Sequence, residues 1–536
     1  MSGWNLADAV YQLAEGPRAD SPALIHDEQV VTYAELRRRA CGIGAWLIAQ
    51  GLPSGAHIGH YMRNSNAYME VFEGAAMAGM SHLNINYRYR DDELVDLCNG
   101  LDVRVLVYDL EFAPLVEQIR KRLPAECLLV QVGGDAELTI EALYDHPQEG
   151  FVPRTAGDDL FLIATGGTTG LPKGVQWRHE DIWRKQGVSM GVAMSPLKLE
   201  KHPLDMAEHI ANVERLPISG PILILSPLMH GTGLLMAIML VAQGTPVGTL
   251  GGAKFDANRT LDFIKQHKAA SLVIVGDAFA IPLLEALDAR ESESLLASVG
   301  LIMSSGTALS QTSKEGLMRH QPRMLVIDSL GSTETSGYAM ATSEPGVFQP
   351  TKGTVVLDDN HEPIEPGSEF PGIAYTAGYL PVGYYNAPEE TAKTFLEING
   401  KRYVRTGDRC TVREDGMLVL LGRDSTVINT GGEKVYTVEV ERVILEHAAV
   451  SDVIVMGLPH PRFGKQVVAV VEGEGLANGA LDVEGLRNFV RERLADYKVP
   501  KLIYAIDDLN RAPNGKPNYP YVTEFAERCA QTEAAE

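Results

Sequence analysis

The chain is organised around one stretch, Thr165-Gly166-Gly167-Thr168-Thr169-Gly170-Leu171-Pro172-Lys173-Gly174-Val175. Apolar residues 160–164 precede it and predict a buried strand, so the glycines and hydroxyls are expected to form a loop at a strand end. Glycine lets several backbone N–H groups point one way, while threonine hydroxyls and the Lys173 ammonium add donors. In isolation a plain surface loop is an equal alternative. The pattern predicts a phosphate-binding loop made of Thr165, Gly166, Gly167, Thr168, Thr169, Gly170 and Lys173. It is not a Walker loop, because no Ser or Thr follows Lys173.

The length and charge of the chain restrict what it can be. Its 536 residues are too many for one hydrophobic core and predict roughly three to five structural units. The hydrophobic fraction of 45% is ordinary for globular proteins. A net charge of −23 argues against a nucleic-acid-binding surface, so anionic ligands must bind through local basic side chains and N–H groups.

The cysteines and the hydropathy pattern bear on location. Five scattered cysteines without CxxC spacing indicate neither a disulfide framework nor a zinc site. No run of 18 apolar residues occurs, and the first 16 residues do not read as a signal peptide. We therefore expect a cytoplasmic protein without a transmembrane segment, with peripheral membrane association left open.

Alternating helix and strand patterns cover residues 33–132 and recur at 222–327, which predicts parallel sheets covered by helices. Residues 190–216 interrupt this alternation and are expected to form a helical excursion near the substrate side. From about residue 348 short strands and turns predict a β-rich subdomain. The domain boundary is expected at 423–426, with an N-terminal domain at 1–422 and a small α+β domain at 427–536.

A second motif, Asp328-Ser329-Leu330-Gly331-Ser332-Thr333-Glu334-Thr335, follows a predicted strand. A turn that offers hydroxyl donors and one carboxylate suits Mg²⁺ with a triphosphate, because Mg²⁺ prefers oxygen ligands. The alternative is a helix N-cap formed by Ser332 or Thr333.

Two further motifs each centre on a single chemical group. His230 lies within Ser226-Pro227-Leu228-Met229-His230-Gly231-Thr232-Gly233, where a structural histidine is the alternative. Asp408 ends Tyr403-Val404-Arg405-Thr406-Gly407-Asp408, where it is expected just after a tight turn. A carboxylate there can accept both hydroxyls of a ribose, although it could also be a turn residue.

The C-terminal part contains two polar motifs. Residues 421–435 include Arg423, Ser425 and the Gly431-Gly432 pair, and read locally as an interdomain linker followed by a turn. Lys516 follows Asn514-Gly515, where an exposed turn cation is the local alternative.

Taken in order, these motifs resemble the adenylate-forming superfamily, which contains acyl-CoA synthetases, luciferases and peptide-synthetase adenylation domains. The resemblance runs from Thr165 to Lys516 and implies an α/β fold, with two helix-covered sheets and a β-rich subdomain in a large N-terminal domain, and a small mobile α+β C-terminal domain. It implies ATP, Mg²⁺ and CoA as ligands.

The resemblance also implies residue roles. Lys516 would stabilise the reacting α-phosphate, Thr333 would contact it, Glu334 would bind Mg²⁺, and His230 would lie beside the acid's carboxylate. The nucleotide-binding set, beyond the loop, is Ser305, Gly306, Thr307, Asp328, Ser329, Leu330, Gly331, Ser332, Asp408 and Arg423. Ser425 would be the hinge, and Gly431 and Gly432 would approach CoA.

Some positions depart from the family pattern, and these departures restrict the class of acid expected as the substrate. Amino-acid-activating relatives carry Asp at the place of Gly231, so an amino acid is not expected. Leu330 replaces the usual aromatic residue at the adenine, and Ser425 replaces the usual Asp or Lys. An uncharged acyl group is expected, lined by Gly231, Thr232, Gly276, Asp277 and Phe279, with residues 304–309 as a further wall.

Within the superfamily, residues 177–181, 275–280 and 428–435 resemble bacterial ligases that activate fatty acids and steroid side chains. The sequence therefore predicts an acid-thiol ligase that forms acyl-CoA through acyl-AMP. Its ligands would be a small carboxylic acid, ATP and CoA, with no nucleic acid, and a homodimer is left open. The alternatives are an acyl-AMP ligase that loads a carrier protein and a non-catalytic nucleotide-binding or acyl-binding protein.

Overall fold

The computed structural model describes residues 4–16, 18–165, 172–194, 203, 205–215, 217, 220–290, 293–307, 309–430, 433–460, 464–473, 476–478, 481–512 and 515–535. Its α-helices are α1 Leu6–Leu13, α2 Tyr33–Ala49, α3 Asn66–Met77, α4 Asp91–Gly100, α5 Ala113–Ile119, α6 Ile140–Tyr144, α7 His179–Met194, α8 Met206–Glu214, α9 Gly231–Ala242, α10 Ala257–His267, α11 Asp277–Ala289, α12 Gln311–His320, α13 Pro388–Thr394, α14 Thr437–Leu445, α15 Val483–Arg491 and α16 Tyr519–Ala535.

The strands in the first part of the chain are β1 Pro22–His26, β2 Gln29–Thr32, β3 His57–Tyr61, β4 Ser81–Asn84, β5 Val103–Asp109, β6 Leu128–Val132, β7 Leu160–Thr165, β8 Lys173–Arg178, β9 Ile222–Ile224, β10 Val247–Thr249, β11 Ser271–Ile274, β12 Leu301–Ser305 and β13 Leu325–Leu330. The later strands are β14 Ala339–Ala341, β15 Val347–Pro350, β16 Thr354–Leu357, β17 Gly372–Ala377, β18 Gly383–Tyr384, β19 Phe395–Ile398, β20 Lys401–Val412, β21 Leu418–Arg423, β22 Ile428–Thr430, β23 Glu433–Val435, β24 Asp452–His460, β25 Gly464–Glu472 and β26 Leu502–Ile506.

The chain divides into two compact units. Unit 1 comprises Met1–Gly337 and Ala377–Val404, and unit 2 comprises Tyr338–Thr376 and Arg405–Glu536. The predicted domain boundary at 423–426 lies inside unit 2 and stays a prediction.

Unit 1 contains two sheets built mainly from parallel strands. One has the order β18-β8-β7-β4-β3-β5-β6, in which β8 and β18 run antiparallel to their neighbours. The other has the order β13-β12-β11-β9-β10-β1-β2, with β2 as its antiparallel edge. The buried strands read as continuous apolar runs, as parallel strands covered on both faces do. The predicted pattern of parallel sheets is confirmed.

Helices of unit 1 cover these sheets and complete its core. Every residue of α3 is buried, and α9 is buried from Gly233 to Ala242. A helix that is apolar on all sides has to pack on all sides, which explains why α9 lies inside the unit. The predicted excursion at 190–216 is in part the end of α7 and in part α8, and residues 195–202 lie outside the described residues.

Unit 2 joins antiparallel strands to a small α+β region. Strand β15 pairs with β14 and β21, and β20 pairs with β21, all antiparallel. A second sheet has the order β23-β22-β25-β24, and β26 runs parallel to β25. Helix α16 packs against this sheet, because Val522 and Ala526 are buried in one cluster with Ile454 and Met456 of β24. Among the described residues, no helix has the length and apolarity needed to cross a bilayer.

Candidate nucleotide and acyl site

A hairpin frames the glycine-rich loop. Strands β7 and β8 are antiparallel, and their last pair joins Thr165 to Lys173. The Thr165 hydroxyl donates to the Lys173 carbonyl at 3.4 Å. Thr165 therefore ends β7 and Lys173 begins β8, so the two residues flank the loop, and the phosphate-binding role of each stays a prediction. Residues 166–171 lie outside the described residues, so the roles of Gly166, Gly167, Thr168, Thr169 and Gly170 stay predictions.

Asn84, which the sequence analysis did not identify, joins this hairpin to the His230 turn. Its Oδ1 accepts from Ala164 N at 2.7 Å, and its Nδ2 donates to the Met229 carbonyl. The side chain is 1% exposed, so its amide must be satisfied inside the protein. A polar residue at the end of the buried strand β4 was the available signal. Asn84 thereby fixes the start of the loop and the residue before His230 at once.

The turn that carries His230 is held by the polar side chains of Asn64 and Tyr68. Asn64 accepts from Leu228 N at 2.7 Å and donates to the Ser226 carbonyl at 3.2 Å. Tyr68 donates to the Leu228 carbonyl at 3.2 Å. His230 itself occupies the N-cap position of α9 with extended backbone angles. The helix begins at Gly231.

The carboxyl ends of parallel strands bring several predicted residues together. A Cβ placed on Gly231 would lie 3.5 Å from the Thr333 hydroxyl. A Cβ on Gly306 would lie 3.8 Å from the Thr232 hydroxyl and 3.3 Å from Val275. Parallel α/β sheets bind their ligands at this edge. The His230 turn, the end of β12 and the turn after β13 therefore meet in one place.

The second motif begins inside a strand, because β13 extends through Leu330. Asp328, Ser329 and Leu330 are thus strand residues rather than turn residues. Burial raises the pKa of Asp328 to about 6, while Lys314 opposes the shift. Its Oδ2 accepts from Leu309 N at 3.4 Å, and the Ser305 hydroxyl donates to the Ser329 carbonyl at 3.1 Å.

Residues 331–338 form a turn, so the helix N-cap alternative is wrong. Within it, Ser332 N donates to the Thr335 hydroxyl at 2.8 Å. A Cβ on Gly331 would lie 2.8 Å from Gly337 N, so only glycine fits where the two ends of the turn approach each other. The turn presents Thr333 and Glu334 side by side.

Aromatic side chains fix this pair. Trp177, fully buried, donates from Nε1 to the Thr333 carbonyl at 2.9 Å. Tyr384 donates from its hydroxyl to Glu334 Oε1 at 2.8 Å, and the Lys173 ammonium lies 5.3 Å from the centre of its ring. The segment 177–181 contributed to the resemblance, but the sequence assigned no role to Trp177 or to Tyr384. A carboxylate and an ammonium therefore contact the same tyrosine.

Glu334 fits a magnesium ion that is shared with phosphates. The described residues contain no group of three His, Cys, Asp or Glu side chains able to hold a metal by themselves. Mg²⁺ usually takes one or two carboxylates and fills its remaining positions with water and substrate phosphates. A half-buried carboxylate that accepts a single hydrogen bond within the described part of the chain, from Tyr384, suits this kind of site.

The predicted acyl-lining residues fall into two groups. Gly231, Thr232 and Gly276 lie at strand or helix ends, and Gly276 N donates to the Ser304 hydroxyl at 3.0 Å. Asp277 accepts from both the backbone N–H and the hydroxyl of Ser310, at 3.1 and 3.2 Å. Phe279 is 5% exposed and packs against Phe255, with ring centres 4.9 Å apart. Thr307 is described only as half-buried. Gly231, Thr232 and Gly276 thus lie at element ends, where a substrate could be bound. Asp277 is hydrogen-bonded to Ser310, and Phe279 is packed against Phe255.

Unit 2 carries a separate set of predicted nucleotide residues. Asp408 lies in the middle of β20 rather than after a turn, opposite Arg423 on β21. Arg423 Nε lies 2.9 Å from Asp408 Oδ1, and the Tyr338 hydroxyl donates to Oδ2 at 2.5 Å. Burial raises the pKa of Asp408, while Arg423 and Tyr338 oppose the shift. Both carboxylate oxygens therefore have partners.

The Lys516 loop is held at its base by Arg511. The Arg511 guanidinium bridges to Asp452 and donates to the Gly515 carbonyl at 3.3 Å. Ala512 N donates to the Lys516 carbonyl at 3.0 Å, and Gly515 has a φ of 70°. A left-handed residue at this point makes glycine the preferred neighbour of Lys516.

The remaining predicted positions of unit 2 are described less fully. Ser425 lies in a 3₁₀ turn, Asp424–Thr426, and its side chain lies outside the described residues. Gly431 and Gly432 also lie outside them, so the hinge and CoA roles stay predictions.

Comparisons with known proteins identify the family. The model of the AMP-binding enzyme family matches residues 11–382, and that of the AMP-binding enzyme C-terminal domain matches residues 439–516. One relative is a Mycobacterium marinum protein named medium/long-chain-fatty-acid–CoA/3-oxocholest-4-en-26-oate–CoA ligase. The two sequences are 35% identical over 95% of this chain and 94% of the Mycobacterium marinum protein. The 3-oxocholest-4-en-26-oate–CoA ligase of Rhodococcus rhodochrous is 33% identical, covering 93% and 91%.

A solved structure agrees with these relatives. The crystal structure of the anthranilate CoA ligase AuaEII in complex with anthranoyl-AMP superposes with a TM-score of 0.83, covering 99% of each chain at 22% identity. At that identity the likeness concerns the fold. The family match and the relatives confirm the resemblance stated from the motifs: the chain belongs to the AMP-binding enzyme family, that is, to the adenylate-forming superfamily.

Proposed function

We propose that the protein is an ATP-dependent acyl-CoA ligase acting on medium- or long-chain fatty acids or on steroid side-chain acids. The observation that carries the proposal is the similarity to ligases of this kind along nearly the whole chain, at 33 to 35% identity. Such an enzyme joins an acid to CoA in two steps. The acid first reacts with ATP to form acyl-AMP and pyrophosphate, and CoA then attacks the acyl-AMP and displaces AMP.

The first step requires charge stabilisation around the triphosphate. Lys173 supplies a cation at the end of the glycine-rich loop, and Thr333 supplies a hydroxyl next to Glu334. A magnesium ion held by Glu334 would neutralise phosphate charge during the displacement. Lys516 would stabilise the charge that develops at the α-phosphorus, as preorganised cations do at a transition state. These assignments follow the family motif residue by residue.

An apolar acid fits the described surroundings of the His230 turn. Gly231 and Thr232 add little volume, and α9 continues as a wholly apolar helix. No charged side chain stands at Gly231 to pair with an ammonium group on the substrate. We therefore propose an acid without a charged α-substituent.

The second step needs CoA to reach the acyl-AMP. We propose that the C-terminal region turns about Ser425 between the two steps, so that Lys516 serves adenylation and residues near Gly431 and Gly432 serve thioester formation. Rotation about a few residues in a short turn is a common way to exchange two functional surfaces.

The test is AMP and acyl-CoA formation from ATP with a panel of carboxylic acids, with and without CoA. The panel should include octanoate, palmitate, a C26 steroid acid, benzoate and an amino acid. We expect CoA-dependent AMP formation with the aliphatic or steroid acids and no turnover of the amino acid. Acyl-AMP that accumulates despite CoA would favour loading of a carrier protein, and no turnover with any acid would favour a binding protein.

A further inference from the structure

Tyr384 contacts two charged side chains, those of Glu334 and Lys173, which would both bind Mg·ATP in the proposed function. Its hydroxyl donates to Glu334 Oε1 at 2.8 Å, and its ring centre lies 5.3 Å from the Lys173 ammonium. Glu334 belongs to the turn after β13, whereas Lys173 begins β8. One side chain therefore contacts a carboxylate and a cation that come from separate parts of unit 1.

The position of Tyr384 is set by its own neighbourhood before any ligand binds. Strand β18 pairs with β8, so that Tyr384 faces Val175. Its backbone N–H donates to the Thr391 hydroxyl at 2.9 Å. A Cβ on Gly383, where φ is 154°, would lie 2.5 Å from Thr391, so the close approach requires glycine. The ring meets Phe395 edge-on at 5.6 Å, and these contacts hold it in one orientation.

Both contacts of the Tyr384 side chain are made where solvent is largely excluded, because the residue is buried. A tyrosine hydroxyl keeps its proton at neutral pH, so the Tyr384 phenol is a donor there. A hydrogen bond to an ionised acceptor is stronger than one between neutral groups. The ammonium lies within the distance of about 6 Å at which a cation is attracted to an aromatic face.

We propose that Tyr384 is a positioning residue of the nucleotide site. Its hydroxyl aims the Glu334 carboxylate at the divalent cation of Mg·ATP, and its ring keeps the Lys173 ammonium beside the same triphosphate. The inference rests on the proposed function, because it assigns ATP to this place. The two contacts are separable, since phenylalanine removes only the hydroxyl and leucine removes the hydroxyl and the aromatic face.

The adjacent residue offers a matched control. Tyr385 also donates its hydroxyl to a carboxylate, Asp102 Oδ2, at 2.7 Å, on an exposed part of the protein. Tyr385→Phe therefore makes the same chemical change one residue away from the proposed site. Tyr384→Phe keeps every ring carbon and is expected to fold, so the hydroxyl can be tested even if Tyr384→Leu does not fold.

Binding of ATP to the full-length protein should be measured by calorimetry, with Mg²⁺ and with a chelator instead. In Tyr384→Phe we expect Mg·ATP affinity to fall roughly five- to tenfold, because a hydrogen bond to a charged group is lost. Metal-free ATP affinity should stay the same. In Tyr384→Leu metal-free ATP affinity should also fall, by about three- to fivefold, through the loss of the cation–π contact. Tyr385→Phe should match the wild type.

The same variants should be compared in acid-dependent pyrophosphate release at varied Mg²⁺ concentration. We expect Tyr384→Phe to need more Mg²⁺ for half-maximal rate while the KM for the acid and the unfolding temperature stay near those of Tyr385→Phe. If Tyr384→Phe and Tyr385→Phe show the same Mg²⁺ dependence, the positioning role is wrong. The proposed function would still hold in that case, provided that the wild type binds ATP and turns over. A wild type that binds no Mg·ATP would overturn both the positioning role and the proposed function.

Discussion

Two carboxylates with predicted nucleotide roles have different environments, one in each unit. Glu334 is half-buried and, among the residues that the structure describes, accepts a hydrogen bond from one hydroxyl, that of Tyr384. Asp408 is buried, and its two oxygens are taken by Arg423 and Tyr338. A ligand can reach the first with little rearrangement, but it must share or replace partners at the second.

This difference shows that a match to a family motif does not reveal how much a residue contributes to the stability of the fold. Because Glu334 has one hydrogen-bond partner among the described residues, its removal should affect ligand binding more than stability. Because Asp408 satisfies a guanidinium and a buried phenol, its removal should affect both. The variants below test whether the two carboxylates differ in this way.

The largest effect is expected for Glu334→Gln. The amide keeps the size of the side chain but cannot ligate Mg²⁺ as an anion, so kcat/KM should fall roughly 10²- to 10³-fold. Unfolding by urea should be nearly unchanged. Glu285→Gln, on the exposed face of α11, is the control and should leave both quantities unchanged. A Glu334→Gln enzyme that retains normal activity would remove this carboxylate from the site.

A smaller effect on activity, joined to a loss of stability, is expected for Asp408→Asn. The KM for ATP should rise about tenfold, and the free energy of unfolding should fall by about 1–2 kcal/mol because Arg423 loses its ionic partner. Steady-state kinetics and urea denaturation measure the two quantities. A cycle with Arg423→Gln should show coupling, since the two residues are in contact. A KM change without any stability change would mean that Asp408 behaves like Glu334.

The smallest effect on activity is expected for a substitution of Glu73. This third carboxylate is buried, like Asp408, but has no hydrogen-bond partner among the described residues. Neither of its oxygens has a hydrogen-bond partner among the described residues, and burial raises its pKa from 4.5 to about 8. The folded protein keeps this proton while the unfolded chain releases it above about pH 4.5. Its contribution to stability is therefore complete at low pH and is lost as pH rises toward 8.

Glu73→Gln removes this titration without changing the shape of the side chain. We expect the variant to gain stability over the wild type as pH rises from 5 to 8, by up to about 1.4 kcal/mol per pH unit. Urea denaturation across that range measures the difference. Glu70→Gln is the contrasting variant on the same helix, because Glu70 is paired with Arg39 and Tyr144. A stability difference that is independent of pH would contradict the predicted protonation of Glu73.

The sequence predicted the fold class and most elements because those signals are local. Helical and apolar patterns predicted an alternation of helices and strands over residues 33–132, which the structure contains from α2 to β6. The order of the motifs identified the family, since each string specifies a turn chemistry at a strand end.

Errors came from contacts between segments that are distant in the chain. Asp408 was expected after a turn because Gly407 precedes it, and Gly407 does have a φ of 79°. The strand nevertheless continues, because β20 pairs with β19 as far as Val404 and with β21 from Asp408 onward, with a shift in register between Arg409 and Cys410. A local glycine signal was overridden by pairing with another strand.

The role of Tyr384 was out of reach of the sequence for the same reason. Its contact with Glu334 spans 50 residues, and its place above Lys173 depends on the pairing of β18 with β8. Asn84 likewise acts through residues 80 and 145 positions away. Neither the type of these residues nor their local spacing indicates such distant partners.

The central claim is that one enzyme runs two half-reactions and that Lys516 serves only the first. Its most direct test is to measure both half-reactions in Lys516→Ala, with Lys501→Ala, an exposed lysine of the same unit, as the control. The account predicts that acyl-AMP formation from acid and ATP falls by at least roughly 10²-fold, while acyl-CoA formation from synthetic acyl-AMP and CoA stays near the rate of the control. Equal loss of both half-reactions, or of neither, would contradict the account.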